Sequence, residues 1–172
     1  MTNDNYTGVT TGTIATACSL AALDAILDTP DIACVKVETP KKVLDIIIDE
    51  CKLISSFKAC AVAHKNPYND PDVTVDLAII STVELFDKTD EEDNIIITGG
   101  EGVGIITKPG LQIPVGDYAI NPGPRRMIVK NLADKIPDGK VAKVTISIPE
   151  GREIARKTMN PKLGIVDGIS VL

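Results

Sequence analysis

A glycine-rich stretch, "GGEGVGIITKPG" at residues 99–110, is the first place where this sequence could do chemistry. Glycine permits positive φ angles and lets a ligand approach backbone N–H groups closely. The dinucleotide fingerprint is not matched, because its third glycine is missing and Pro109 prevents an immediate helix, and the phosphate-loop pattern is absent too. A tight β-connection with unusual dihedral angles explains the glycines equally well. The candidate binding residues here are Gly99, Gly100, Gly102, Gly104 and Lys108, and Glu101 is the one carboxylate among them.

An arginine pair follows a proline-containing turn in "AINPGPRRMI", residues 119–128. Asn121 or Gly123 can cap a helix there, which places Arg125 and Arg126 in its first turn. Cations at that end oppose the helix dipole at a cost of about 0.3–1 kcal/mol each, and a bound anion would reverse the sign. We therefore expect Asn121 and Arg125 to bind an anion. The alternative is that the arginines pair with nearby Asp or Glu residues.

Three further stretches carry polar side chains at the ends of predicted elements. "VTTGT" at residues 9–13 brings hydroxyls and free N–H groups to a helix start, and capping alone also explains it. "NPYNDPDVT" at residues 66–74 holds a carboxylate pair that can act as a base or hold a cationic group, although turn formation explains it better. "RKTMNPKLGIVDGIS" at residues 156–170 adds positive charge, with solvated surface as the alternative. The candidates are Thr10, Thr11, Gly12, Thr13, Lys157 and Asn160 for binding and Asp70 and Asp72 for catalysis.

The elements that must position these residues show no clean alternation of strand and helix. Small apolar residues predict a buried helix from about Thr13 to Asp28. Residues 34–39 and 42–49 predict a hairpin, with further strands at 53–64, 75–86, 94–98 and 143–149. Helices are expected over 125–136 and from about residue 150, and a glycine-interrupted strand at the end. The sum is one α+β domain over residues 1–172, with a mostly antiparallel or mixed sheet and two to three helices.

Composition and charge narrow the class of protein. Five aromatic residues and no basic groove argue against nucleic-acid binding. Residues 1–107 hold 18 acidic and 7 basic residues, net −11, whereas residues 108–172 hold 6 and 11, net +5. The basic half could offer a local cationic surface to a small anion, and the alternative is a solvated acidic face and a solvated basic face. The longest apolar stretch is too short to span a bilayer, and we expect a cytoplasmic protein without membrane contact. Four cysteines without CxxC spacing and a single histidine predict no metal site.

The five stretches occur together and in this order, and together they resemble the cobalt-precorrin-5B C(1)-methyltransferase family, the CbiD proteins of anaerobic cobalamin biosynthesis. Residues 9–13 resemble "YTTGT" with Val9 in place of Tyr, and residues 65–74 resemble "KDAGDDPDVT". Residues 99–111 match "GGEGVGxxTxPGL" throughout, and residues 119–128 match "AINPxPRxMI". Residues 157–170 match "KTxNPxLGIxGGIS", except that Asp167 replaces a glycine.

The resemblance implies S-adenosylmethionine-dependent methylation of cobalt-precorrin-5B at ring carbon C-1, which gives cobalt-precorrin-6A. Cobalt would be present only as part of this anionic corrinoid substrate. The substrate's acetate and propionate arms suit Arg125, Lys108 and the N–H groups of the glycine loop. Asp70, Asp72 or Glu101 would hold the sulfonium side of the donor or move a proton. Transfer itself is an in-line displacement that depends mainly on positioning.

The resemblance also implies a fold like domain 2 of ribosomal protein S5 and, in the family, a second α/β domain that this chain lacks. The chain would then be a substrate-binding half, with a C-terminal half or a second copy of itself as candidate partners. Two alternatives stay open at this point. One is a non-catalytic tetrapyrrole-binding module, and the other is a nucleotide-dependent, kinase-like enzyme.

Overall fold

The secondary structure confirms the predicted α+β class. The computed structural model describes residues 9–28, 31–65, 76–89 and 93–172. The described helices are α1 (Thr11–Leu27), α2 (Pro122–Leu132), α3 (Gly151–Ala155) and α4 (Asn160–Leu163), with a 3-10 turn at Ala133–Lys135. The described strands are β1 (Cys34–Glu38), β2 (Val43–Ile47), β3 (Glu50–Ser55), β4 (Lys58–His64), β5 (Ala78–Asp87), β6 (Ile95–Gly99), β7 (Gly102–Val103), β8 (Ile105–Ile106), β9 (Lys140–Ser147), β10 (Ile165–Val166) and β11 (Gly168–Ile169).

Four helices in the described ranges exceed the two to three expected, because α4 was not anticipated. Its Asn160-Pro161 start predicts a turn, but proline is also well accommodated in the first turn of a helix, where its missing N–H is not needed. Gly164, in the left-handed region at φ +84°, ends this short helix.

A five-stranded mixed sheet with strand order β3-β4-β5-β9-β6 forms the centre of the fold. The first four strands are antiparallel, and β6 runs parallel to β9 at one edge. The single strand predicted over residues 53–64 is in fact the hairpin β3–β4, because the chain turns at Ser56 and Phe57. The hairpin predicted before it is confirmed as the antiparallel pair β1–β2.

Helix α1 covers one face of this sheet and is buried on nearly all sides, as its small apolar residues predict. Two contacts show how closely α1 approaches β5. The hydroxyls of Ser19 and Ser81 lie 2.7 Å apart, and the Cys18 thiol donates to the Ile79 carbonyl at 3.5 Å. Within the described ranges, no helix has the length and apolar character needed to cross a membrane.

Helices α1 and α2 lie side by side and run in the same direction. Near their N-termini, Gly12 packs against Pro124, since a Cβ atom on Gly12 would lie 2.7 Å from Pro124 Cγ. Toward their C-terminal ends, Lys135 Nζ donates to Asp24 Oδ1 at 3.0 Å. The positive ends of both helix dipoles therefore meet at one end of the molecule.

Candidate functional site

Four of the five candidate stretches meet at the end of the molecule where α1 and α2 begin. They are residues 9–13, 99–110, 119–128 and 156–170. Gly104 links two of them to the glycine loop: its carbonyl accepts from Ala119 N–H at 2.7 Å, and its N–H donates to the Ile169 carbonyl at 2.9 Å. The contact between Gly12 and Pro124 adds the stretch at the start of α1. The sequence order alone does not show this convergence, which is produced by the short pairs β7–β11 and β8–β10.

Of the three predicted catalytic carboxylates, Glu101 alone belongs to the described residues. Asp70 and Asp72 lie outside the described residues, so their roles stay predictions. Glu101 is exposed at the tip of the glycine loop, where its carbonyl accepts from Ile148 N–H at 2.7 Å. Its carboxylate makes no ion pair or hydrogen bond with any residue in the described structure. An accessible, unpaired carboxylate of this kind is able to hold a cation or accept a proton.

The glycines of the loop are packed against the protein's own backbone. Gly102 has φ +76°, and its carbonyl oxygen would lie 2.1 Å from a Cβ atom on Gly151 and 2.2 Å from one on Gly168. Three chain segments thus touch at backbone distance, which only glycine permits. This packing explains the glycines of the loop without a ligand, and ligand contact at Gly99, Gly100, Gly102 and Gly104 stays a prediction.

Most N–H groups of the loop already have partners inside the protein. Gly100 N–H donates to the Ile146 carbonyl at 2.8 Å, and Val103 N–H donates to the Gly100 carbonyl at 3.3 Å. Gly104 N–H donates to the Ile169 carbonyl. A phosphate-binding loop instead turns successive N–H groups toward its ligand. The geometry therefore argues against the kinase-like alternative.

Tyr118 lies against the glycine loop, and the sequence analysis did not single it out. Its ring lies over Gly99, where an added Cβ atom would be 2.3 Å from Tyr118 Cδ1. The side chain is half-buried, and its hydroxyl has no partner in the described structure. The available signal was the rarity of aromatic residues, because this chain has only five and one of them precedes the "AINP" stretch directly.

Arg125 is held by carbonyl groups. Its Nε donates to the Ile120 carbonyl at 2.7 Å, its Nη2 to Tyr118 at 3.3 Å and its Nη1 to Ile97 at 3.5 Å. The carboxylate pairing considered as an alternative is absent among the described residues. The positive charge is therefore half-buried and uncompensated within this part of the chain.

The N-terminus of α2 offers fewer free N–H groups than the sequence suggests. Asn121 is the N-cap residue, but its side chain makes no capping bond. Pro122 and Pro124 lack N–H groups, and Arg125 N–H donates to the Asn121 carbonyl at 3.2 Å. Gly123 therefore carries the one backbone N–H of this turn that has no partner among the described residues, and a Cβ atom there would meet nothing within 4 Å. The open space beside Gly123 is compatible with a ligand at this position.

The N-terminus of α1 is satisfied mainly by its own threonines. Thr10 Oγ1 accepts from Thr13 N–H at 3.1 Å, and Thr13 Oγ1 accepts from Thr10 N–H at 3.3 Å, which is a reciprocal capping box. Gly12 N–H donates to the Leu172 carbonyl at 2.8 Å. Thr11 is 6% exposed, and since no enclosed side-chain polar atom lacks a partner in the described ranges, its unbonded hydroxyl keeps some contact with solvent. Capping thus accounts for this stretch, and ligand binding by Thr10–Thr13 stays a prediction.

The positive charge of residues 108–172 is largely free of ion pairs. Three of its 11 basic residues pair with acidic residues of the first half of the chain: Lys130 with Glu38, Lys135 with Asp24 and Lys140 with Asp87. No carboxylate partner is found among the described residues for the others, which are Lys108, Arg125, Arg126, Lys143, Arg152, Arg156, Lys157 and Lys162.

Lys108 connects the glycine loop to the stretch at residues 156–170. Its aliphatic stem lies across Gly164, where a Cβ atom would be 2.5 Å from Lys108 Cγ. Thr107 fixes this contact, since its N–H and its hydroxyl both donate to the Gly164 carbonyl, at 2.7 and 2.6 Å. The exposed Lys108 is thereby held beside α4, which begins at Asn160 and carries the exposed Lys162.

The fold and this site together define an α+β protein in which the glycine loop packs on the last motif of the chain, with exposed basic residues at Lys108, Lys157 and Lys162. The CbiD family model matches residues 1–172, and the chain belongs to that family.

Named relatives agree with this assignment. A cobalt-precorrin-5B C(1)-methyltransferase of Methanobrevibacter smithii is 80% identical over 172 residues, covering 100% of the chain and 48% of that protein. A protein of the same name from Methanosphaera stadtmanae is 52% identical over 166 residues, covering 96% and 42%. The crystal structure of the cobalamin biosynthesis protein CbiD from Archaeoglobus fulgidus matches with a TM-score of 0.64 and 28% identity, over 95% of this chain and 51% of that one. The chain thus spans about half the length of the relatives it matches.

Proposed function

We propose that this chain binds the anionic cobalt-corrinoid substrate of cobalt-precorrin-5B C(1)-methylation and forms the substrate-binding half of an S-adenosylmethionine-dependent methyltransferase. The product of the complete enzyme would be cobalt-precorrin-6A. The names of the relatives support the reaction, and this chain covers 48% and 42% of their lengths. The observation that carries the binding role is that Lys108, which lies across Gly164, and Lys157, between α3 and α4, are exposed and have no carboxylate partner among the described residues.

Carboxylate arms of the macrocycle bind to these free cations. Lys108 and Lys157 supply ammonium groups, and Asn160 supplies amide donors at the start of α4. Charge-assisted hydrogen bonds to carboxylates are about twice as strong as neutral ones. Arg125, Asn121 and the free N–H of Gly123 add positive potential at the neighbouring helix end.

The methyl donor is a sulfonium cation, and the described residues fit only part of it. Glu101 presents a free carboxylate that suits the sulfonium charge, with Asp70 and Asp72 as further candidates for that role or for moving a proton. The donor's amino-acid carboxylate needs several N–H groups, whereas the loop and both helix ends have few to offer. We therefore place the rest of the donor site outside the described residues, in a C-terminal half or a second copy of the chain.

Titration with cobyrinic acid, a stable cobalt corrinoid polycarboxylate, tests the binding role. We expect a saturable change in the corrinoid's absorbance spectrum and an affinity that falls as salt increases. The heptamethyl ester of cobyrinic acid is the matched control, because it keeps the ring and the cobalt but removes the negative charges. Equal binding of acid and ester, or binding of neither, would contradict the proposal.

Thermal unfolding with and without S-adenosylmethionine decides where the donor binds. A ligand at about 100 times its Kd adds roughly 2.7 kcal/mol to the free energy of unfolding, which is readily seen as a raised midpoint. We expect no shift for the isolated chain, because the donor site is incomplete. A shift would locate the donor within these 172 residues and make a turnover assay the next step.

A further inference from the structure

We propose that Arg125 is a positioning residue that fixes the glycine loop through backbone carbonyls, and that its guanidinium does not bind the ligand directly. The role of the loop in binding rests on the proposed function, whereas the clamp itself is a property of this chain alone. A planar guanidinium has five N–H donors in a rigid fork, so one side chain is able to bond to several carbonyls at fixed angles.

The three acceptors of Arg125 lie on both sides of the loop. Ile97 is in β6, which ends at Gly99 and continues into the loop at Gly100. Tyr118 and Ile120 belong to the segment that returns to the loop and begins α2. One side chain therefore holds the entrance of the loop and the segment that packs on it.

Two of these carbonyls belong to peptide groups whose N–H atoms continue into the site. The Tyr118 carbonyl shares its peptide group with Ala119 N–H, which donates to the Gly104 carbonyl at 2.7 Å. The Ile120 carbonyl shares its peptide group with Asn121 N–H, which donates to the Val171 carbonyl at 3.0 Å. Hydrogen bonds in such chains polarise one another, so the guanidinium strengthens the bonds that hold Gly104.

The position of β6 explains why such a clamp is needed. This strand is at the edge of the five-stranded sheet, and β9 is its one partner among the described strands. An edge strand leaves backbone groups without partners on its open side. Arg125 occupies that side by donating to the Ile97 carbonyl, and no described carboxylate draws the guanidinium away.

Amide hydrogen exchange on Arg125→Ala tests the clamp. We expect exchange at the amides of Gly104, Ala119 and Asn121 to become about tenfold faster or more, because bonds to a charged donor are lost. Amides in β4 and β5 should keep the wild-type rate. Arg126→Ala is the matched control, since it removes the same charge from the adjacent, exposed position without a described bond. Unchanged exchange at Gly104 and Ala119, or an equal increase throughout the sheet, would overturn the proposal.

Chemical rescue separates positioning from direct ligand contact. Guanidinium ion added to Arg125→Ala at a concentration far below denaturing should restore protection at Gly104 and, with it, the affinity for cobyrinic acid. Sodium chloride at the same concentration should restore neither. Restored protection with lost affinity would show that Arg125 contacts the ligand and would overturn the proposal.

If wild-type protein does not bind cobyrinic acid, the proposed function fails while the exchange rates still decide the role of Arg125. If Arg125→Ala does not fold, Arg125→Lys takes its place. An ammonium group cannot reach carbonyls in three directions, so the amides of Gly104 and Ala119 in Arg125→Lys should exchange faster than in wild type. Wild-type exchange rates in this variant would overturn the clamp.

Discussion

The carbonyl oxygen of Gly102 lies 2.2 Å from the point that a Cβ atom on Gly168 would occupy. These two residues face each other in the parallel pair β7–β11, so the glycine loop and the last motif of the chain meet backbone to backbone. The first function of both glycines is to let two segments approach this closely.

Gly168→Ala should therefore destabilise the fold strongly. The added methyl group meets backbone atoms of Gly102 and Gly104 rather than the end of a flexible side chain, and overpacking of this kind costs about 1–3 kcal/mol. Gly123→Ala is the matched control, because the same methyl group there would meet nothing within 4 Å. Urea unfolding of both variants checks the difference, and equal stability of the two would refute the close approach at Gly168.

Asp167 holds a backbone conformation that explains why the family pattern has glycine at this position. Its φ is +64°, in the left-handed region, which costs an ordinary residue roughly 1–2 kcal/mol. We expect Asp167→Gly to keep or increase the thermal midpoint and Asp167→Ala to lower the free energy of unfolding by about 1 kcal/mol. A less stable glycine variant together with an unchanged alanine variant would contradict the assigned dihedral angle.

The thiols should react in an order set by their burial. Cys34 is exposed and Cys18 is buried, whereas Cys51 and Cys60 are intermediate, with pKa values raised by burial. Near pH 8 a disulfide reagent should modify Cys34 first and Cys18 only when the chain unfolds, because the thiolate is the reactive form. Mass spectrometry of partly labelled protein identifies the sites, and Cys34→Ser should remove the fast phase.

Cys18 should also make stability depend on pH in the alkaline range. Burial raises the pKa of the Cys18 thiol far above its ordinary value, so the folded protein keeps the proton that the unfolded chain loses near pH 8.5. The free energy of unfolding should thus decrease as pH rises through that value. Cys18→Ala is expected to be less stable at pH 7 but to show a flatter slope between about pH 8 and pH 10. Parallel slopes for the two proteins would contradict a buried, protonated thiol.

The sequence predicted the helices and strands well wherever one hydrophobic pattern dominated. The apolar run that forms α1 and the β-branched runs that form β5, β6 and β9 need only local information. It failed to separate β3 from β4, because the turn at Ser56 and Phe57 contains neither glycine nor proline.

The site was less predictable because its important contacts join residues far apart in the chain. Glycines such as Gly102 and Gly168 carry no pattern that says whether they face a ligand or another backbone. Arg125 likewise appears in the sequence only as a cation near a helix start. Its actual partners are carbonyl groups, which every residue has, and only the fold decides which of them it reaches.

The measurement that tests the proposed corrinoid site most directly is the affinity of a Lys108→Gln, Lys157→Gln double variant for cobyrinic acid. Both ammonium groups are exposed and without a described carboxylate partner, so their loss should leave stability unchanged. We expect affinity to fall about threefold to tenfold at low salt, as for exposed ion pairs, and the difference to shrink at high salt. Lys41→Gln is the control, an exposed lysine on the β1–β2 connection. Wild-type affinity in the double variant, or an equal loss in Lys41→Gln, would contradict a corrinoid site at this end of the molecule.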